Sequence, residues 1–153
     1  MDFPIILLAK YFYLFVVVIG VLVVLMEAKK DRVNTIKLAI AALPLSFIFS
    51  RIAAALFYNP RPFVVDKITP LIAHAADNGF PSDHTLFVMT ISAIVFAYNK
   101  KAGMVLVLLS LVVGLSRVLA KVHHGIDILG GMGLAFVATY ICFIGLKKLK
   151  LIK

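Results

Sequence analysis

Long apolar runs, broken by short polar stretches, set the pattern of this chain. Met1–Met26 carries only Asp2 and Lys10 as charges, and Tyr11–Met26 carries none. Leu38–Tyr58 is apolar around a single Arg51. Ser82–Tyr98 is a shorter run, followed by Ala102–Lys121 and Ile126–Leu146. These runs are continuous rather than alternating, so they read as helices and not as barrel strands. A helix needs about 20 apolar residues to cross a bilayer. The pattern therefore predicts an all-α fold: a polytopic membrane helix bundle of about five transmembrane helices. The spans fall near residues 4–26, 38–58, 82–98, 102–121 and 126–146, in a single domain over 1–153. Between them lie a Glu27–Lys37 loop, an Asn59–Pro81 loop, a tight turn at Asn99-Lys100-Lys101, a Lys121–Gly125 turn and a basic tail from Lys147 to Lys153. Gly103, Gly114, Gly130, Gly131, Gly133 and Ala135 are small enough to let neighbouring helices approach.

Composition agrees with the pattern. Hydrophobic residues make up 63 % and charged residues 15 %, against about 45–50 % and about 25 % in soluble proteins. A water-soluble domain of this length could not hide that much apolar surface. The N-terminal run lacks a basic start and a small-residue cleavage site, so it is expected to be retained as a span rather than removed. Cys142 is the single cysteine and excludes an internal disulfide.

The net charge of +9 would suggest nucleic acid in a soluble protein. Here it reads as loop charge that orients a membrane protein, with no nucleic-acid partner. Lys29, Lys30, Arg32 and Lys37 fill the first loop. Lys100 and Lys101 make the tight turn, and Lys147, Lys148, Lys150 and Lys153 the tail. The positive-inside rule assigns these three regions to the cytoplasm. The N-terminus, the Asn59–Pro81 loop and the Lys121–Gly125 turn then face outward, at the cell membrane's extracytoplasmic side.

Three polar stretches fall on that outer side: Asn59-Pro60-Arg61-Pro62, Pro81-Ser82-Asp83-His84, and Ser116-Arg117 with His123 and Asp127. Ionisable groups in or beside spans are costly and mark function. Arg61 and Arg117 offer forked, permanently charged donors that match phosphate oxygens. Pro81-Ser82-Asp83 opens a helix, whose free N–H groups and positive dipole end attract anions. Together they argue for a phosphate-bearing substrate. His123 and Asp127 are one helical turn apart, so the carboxylate is placed to accept Nδ1–H and leave Nε2 free to attack. His84, at the start of another helix, is suited to protonate a leaving oxygen and then to take a proton from water. This set suffices for phosphoryl transfer through a phosphohistidine. A metal site from His84, His123, His124 and Asp127 is the rival, disfavoured because two nearby arginines would repel a divalent cation. His124 reads as a solvated neighbour, and His74 and Asp77 as loop-stabilising caps. Tyr11, Tyr13 and Tyr58 read as interfacial belt residues.

Ser116-Arg117-x5-His123-x3-Asp127 and Pro81-Ser82-Asp83-His84 resemble the third and second signature motifs of the type 2 phosphatidic acid phosphatase (lipid phosphate phosphatase) superfamily. Arg61-Pro62 matches the end of its first motif. The stretch from His74 to His84, with Asp at 83 and Phe63 after Arg61-Pro62, is similar in particular to the bacitracin-resistance-type undecaprenyl-diphosphate phosphatases. The resemblance implies His123 as nucleophile, Asp127 as its partner and His84 as general acid, then base. Arg61, Arg117 and Ser82 with the adjoining backbone would hold the phosphate, with Asp83 and Ser116 beside them. It implies no metal and no other cofactor. The family's first motif begins with lysine at the position of Ala54. Arg51, on the same helical face, is expected to take that lysine's place. Family members often carry one span more, so five spans imply a minimal form.

The resulting expectation is a lipid phosphatase that removes the terminal phosphate of undecaprenyl or another polyprenyl diphosphate, with the tail in the bilayer. A phosphatidic acid or phosphatidylglycerol phosphate phosphatase shares the same chemistry. A small transporter or lipid-binding protein without catalysis is the reading from another class.

Overall fold

The computed structural model describes residues 2–152. Five helices form the bundle and a one-turn helix sits in its longest loop. In chain order they are α1 (Phe3–Met26), α2 (Lys29–Leu56), α3 (Pro62–Val65), α4 (Asp83–Tyr98), α5 (Lys100–Leu119) and α6 (Gly125–Lys148). Among the described residues the only β pairing is an isolated bridge between Pro60 and Asn78. Helices α1, α2, α5 and α6 are long and apolar enough to cross a membrane. The chain is a multi-pass helical membrane protein.

Helix α4 is the exception in length and the centre of the bundle. Its 16 residues rise about 24 Å, short of the roughly 30 Å of a hydrocarbon core. It packs against α1, α2, α5 and α6, so its neighbours rather than lipid enclose it. Val88 and Val95 meet Val16 of α1 and Leu106 and Val113 of α5. Ile94 meets Leu38 and Ala42 of α2, with Phe143 of α6 packed against them. Hydroxyls buried in α4 are satisfied locally or across the helix pair: Thr90 donates to the Leu86 carbonyl at 2.7 Å, and Ser92 meets Ser110 of α5 at 2.9 Å. A buried hydroxyl left without such a partner would destabilise the bundle.

Because α4 is short, its polar start is recessed between longer neighbours. Arg117 reaches the Ala9 carbonyl, and Ala9 lies well inside α1. Arg51, paired with Asp83, lies more than a turn before the end of α2.

Several boundaries differ from the sequence pattern. The Glu27–Lys37 stretch is not a loop: only Glu27 and Ala28 separate α1 from α2, and the lysines sit on the first turns of α2. The buried Thr35 hydroxyl explains the tight link, because it bonds Glu27 Oε2 at 2.8 Å and the Asp31 carbonyl at 2.9 Å. Asn99 alone joins α4 to α5 and caps α5 by accepting from the Ala102 N–H. Lys147 and Lys148 belong to the last turn of α6, where cations complement the negative helix end. Gly133 has open space around it rather than a helix neighbour.

Gly103 carries the closest packing of helix on helix: a Cβ there would collide with the backbone and Cβ of Phe96 in α4. Backbone cannot swing away as a flexible side chain can. We expect Gly103→Ala to lower stability by about 1–3 kcal/mol, read as a reduced thermal midpoint in detergent. Gly133→Ala, with nothing within 4 Å of the added carbon, should leave the midpoint unchanged or raised.

Candidate active site

The recessed start of α4 forms one wall of a cavity of about 390 Å³. Arg61, His74, His84 and His123 line it, with Arg51, Ala54 and Asp83 on the side nearest α2. Four elements deliver these groups. The α2–α3 connection brings Arg61, the long loop after α3 brings His74, α4 brings His84, and the α5–α6 turn brings His123.

At the back of the site Asp127 is fully buried, and three donors satisfy its carboxylate. The His124 backbone N–H donates to Oδ2 at 2.8 Å, and Asn59 Nδ2 donates to Oδ1 at 2.7 Å. His123 Nδ1 lies 3.3 Å from Oδ2. Asp127 is also the third residue of α6 and closes a capping box with His124. One carboxylate therefore starts the helix, orients His123 and anchors the Asn59 loop. Gly79 lies against this carboxylate. A side chain there would put Cβ 2.9 Å from Asp127 Oδ2 and 3.1 Å from the Asn59 carbonyl.

Neighbours on both sides assign the tautomer of His123. Asp127, an acceptor, takes a hydrogen bond from Nδ1–H and keeps the proton there, and Arg61 Nη1 stands 3.3 Å from Nε2 as a donor to its lone pair. Nε2 is left unprotonated at the cavity wall. Burial lowers the basicity of His123, the Asp127 hydrogen bond opposes this, and the positive charges of Arg61 and Arg117 add to the lowering. The pKa falls below the ordinary 6.5. His74 is pushed further, to about 4, by burial first and then by the charges of Arg61, Arg117 and His123. Its buried Nδ1 has no hydrogen-bond partner.

Both arginines are almost wholly buried, but they are compensated differently. Arg61 donates Nε to Asp77 at 2.7 Å and Nη1 to the Val122 carbonyl at 2.8 Å. Burial pushes Asp77 up, yet the Arg61 hydrogen bond and charge outweigh it and hold the carboxyl below its usual value. Arg117 gives Nη1 to the Ala9 carbonyl at 2.9 Å, and its Nε is buried without a partner. None of the ion pairs among the described residues involves Arg117. A buried, uncompensated guanidinium is costly and favours an anion beside it.

The structure brings Arg51, Arg61, Asp83, His84 and His123 to one cavity, with Asp127 behind His123. It does not bring Arg117, Ser82 or Ser116 to the cavity wall. Ser82 is buried, its N–H donates to the Asp127 carbonyl at 3.0 Å and its hydroxyl accepts from Thr85. The Ser116 hydroxyl bonds back to Val113 in its own helix at 2.7 Å. Asp83 turns its carboxylate to Arg51 and to the Ser50 hydroxyl. Ala54 and Arg51 line the same wall. Tyr13, expected at the membrane interface, instead sets its ring edge-on to His84 at 4.7 Å. Asp77 and His74 are more than loop caps, since one pairs with Arg61 and the other faces His123 at 6.0 Å between rings. The sequence pattern gave no role to Asn78. Its side chain ties Asn59 and Phe80 N–H groups to the Ala54 carbonyl in the last turn of α2 and to the Phe57 carbonyl just after it. Among the described residues no group of three or more His, Cys, Asp or Glu side chains converges in a way that could hold a metal ion.

Known proteins can now be set beside this geometry. Undecaprenyl-diphosphatase BcrC of Bacillus subtilis is 36 % identical over 104 residues, covering 68 % of this chain. The match spans about half of that relative's length, 52 %. Bacitracin transport permease protein BcrC of Bacillus licheniformis is 32 % identical over 95 % of this chain and 71 % of its own length. Among solved structures, Aquifex aeolicus LpxE has a similar fold, with a TM-score of 0.66, 18 % identity and 92 % of each chain covered. A transmembrane PAP2 type phosphatidylglycerolphosphate phosphatase from Bacillus subtilis superposes with a TM-score of 0.62 and 20 % identity, covering 95 % of this chain and 74 % of the other. The PAP2 superfamily model matches residues 35–150, which take in every cavity residue described above, and the chain belongs to the PAP2 superfamily.

Proposed function

We propose that the protein is a membrane phosphatase that removes the terminal phosphate of a polyprenyl diphosphate, with undecaprenyl diphosphate as the preferred reading. The observation that carries the phosphatase reading is an oriented imidazole that meets the buried Arg61 at the cavity, with a second buried and uncompensated arginine, Arg117, near enough for its charge to act on that imidazole. The relative named undecaprenyl-diphosphatase BcrC supports the choice of lipid. A cavity recessed among helices fits a substrate whose phosphates enter from the bilayer side with the tail still in lipid.

In this mechanism Arg61 and Arg117 neutralise the phosphoryl oxygens, and the first N–H groups of α4 add donors. His123 Nε2 attacks the terminal phosphorus. The bond from that phosphorus to the bridging oxygen breaks, its electron pair stays on the bridging oxygen, and His84 supplies the proton. Polyprenyl monophosphate leaves. Asp127 holds the Nδ1 proton and stabilises the positive ring. Water then attacks the phosphohistidine while His84 takes its proton, which releases inorganic phosphate and restores Nε2. Arg51 stands on the wall where the family's lysine would reach, held there by Asp83. It takes over part of that lysine's charge. We place the cavity at the extracytoplasmic face, with the N-terminus outside and the C-terminus in the cytoplasm.

His123→Ala should reduce phosphate release from a detergent-solubilised diphosphate lipid to background. His84→Ala should lower it by about 10²–10⁴-fold, the usual span for a lost general acid. Retained turnover in His123→Ala would overturn the mechanism. The pH profile follows from the lowered basicity of His123. Protonation of Nε2 abolishes attack, so activity falls on the acid side, and the lowered pKa puts that limb below 6.5. An acid limb of kcat/KM above 6.5 would contradict the assignment of His123 as nucleophile. For orientation, a cysteine at Lys67 in a Cys142→Ala background should react with an impermeant thiol reagent in intact cells. Protection there, with reaction after permeabilisation, would invert the topology.

A further inference from the structure

At the end of the bundle opposite the catalytic cavity, a second and larger cavity of about 600 Å³ opens between the start of α2 and the chain after α6. Lys29, Lys30, Lys37 and Lys150 line it, with Asn34 as a further polar group. Among the described residues no acidic side chain lines it, and none of the ion pairs involves these lysines. Four like charges around one opening repel one another unless an anion lies between them.

The chain turns back on itself at this cavity. After α6, Leu151 N–H returns to the Leu146 carbonyl at 2.9 Å and Lys150 N–H to the Lys147 carbonyl at 2.9 Å. This helix stop places Lys150 in the left-handed region, at φ 57°. Glycine is the residue that suits that position; a lysine there accepts strain and puts its charge on the cavity wall. Lys37 Nζ donates to the Leu151 carbonyl at 2.9 Å, which fastens the turn to α2 and leaves Lys37 two further N–H donors.

Val33 and Leu151 also line the cavity. Directly beyond it, Ile36 and Ile40 continue an exposed apolar strip along α2. A free anion would use the lysines and ignore that strip. An anion joined to hydrocarbon would use both.

We propose that this cavity is a binding site for the phosphate headgroup of an anionic phospholipid, whose acyl chains lie along Val33, Ile36 and Ile40. The positive-inside pattern assigns this end to the cytoplasmic leaflet, where juxtamembrane lysines meet anionic lipid. The site is separate from the catalytic cavity and takes no part in hydrolysis.

Native mass spectrometry of the full chain in neutral detergent tests it, with phosphatidylglycerol, phosphatidylcholine and inorganic phosphate each titrated as the probe. Wild type should retain phosphatidylglycerol in preference to phosphatidylcholine. Lys29→Gln/Lys37→Gln/Lys150→Gly should bind it at least about tenfold more weakly, since three of the four lysine charges around the opening are lost. The Lys150→Gly change deletes a charge while supplying the residue that the turn favours, so this single variant should keep the wild-type thermal midpoint and still bind phosphatidylglycerol more weakly. Lys100→Gln/Lys101→Gln, which alters a different basic turn at the same end, should bind as wild type does. Equal weakening in that control would reduce the effect to diffuse surface charge and overturn the site. So would equal retention of the two phospholipids. Binding of inorganic phosphate as tight as that of phosphatidylglycerol would assign the cavity to a free anion and overturn the lipid proposal.

Discussion

The site depends on a single buried carboxylate. Asp127 accepts from Asn59, from the His124 backbone and from His123, joining groups that lie far apart in sequence. A carboxylate wholly out of water is tolerable only when its oxygens are hydrogen-bonded. Folding of the Asn59–Pro81 loop and orientation of His123 are therefore the same event. Gly79 leaves the room for it, and Asn78 fixes the loop to the end of α2. If Asp127 lost these partners, His123 would lose its tautomer and the loop its anchor together.

Around that carboxylate the charges are arranged for an anion that arrives from outside the fold. Arg61 is neutralised by Asp77, whereas Arg117 has a backbone carbonyl and an unpartnered Nε. Burial first, and then the charges of Arg61 and Arg117, favour the neutral form of His74 and His123. An imidazole held neutral at a cavity keeps the free lone pair that the proposed attack needs; the same imidazole protonated would only be a third cation. The shortness of α4 completes the arrangement, because a longer helix would carry His84 out toward the end of the bundle. Its recess among α1, α2, α5 and α6 sets His84 at one cavity with His123 and Arg61.

Much of this was legible in the sequence. Continuous apolar runs announced the helices, and His84, Arg117, His123 and Asp127 stood out because charge inside or beside a span needs a reason. Those four positions also lie at fixed offsets from helix starts or ends, where local rules act. What stayed hidden depends on contacts across long sequence distances. Nothing local to Asn59 foretells a bond to Asp127, and nothing local to Tyr13 foretells a ring against His84. Ser82 and Ser116 look like phosphate ligands by position, yet the fold spends their polar groups on Asp127, Thr85 and Val113. The lysines before Leu38 read as a loop because charge interrupts the apolar run, although lysine is a good helix former and Thr35 ties the start of α2 to Glu27.

The central claim is that His123 carries the phosphoryl group between two half-reactions. Rapid alkaline quenching during turnover of a diphosphate lipid labelled with ³²P in its terminal phosphate tests it most directly. The account predicts label on the protein that survives alkali, is lost in acid and maps to the peptide containing His123. Turnover without any enzyme-bound label, or the same label in His123→Ala, would contradict it.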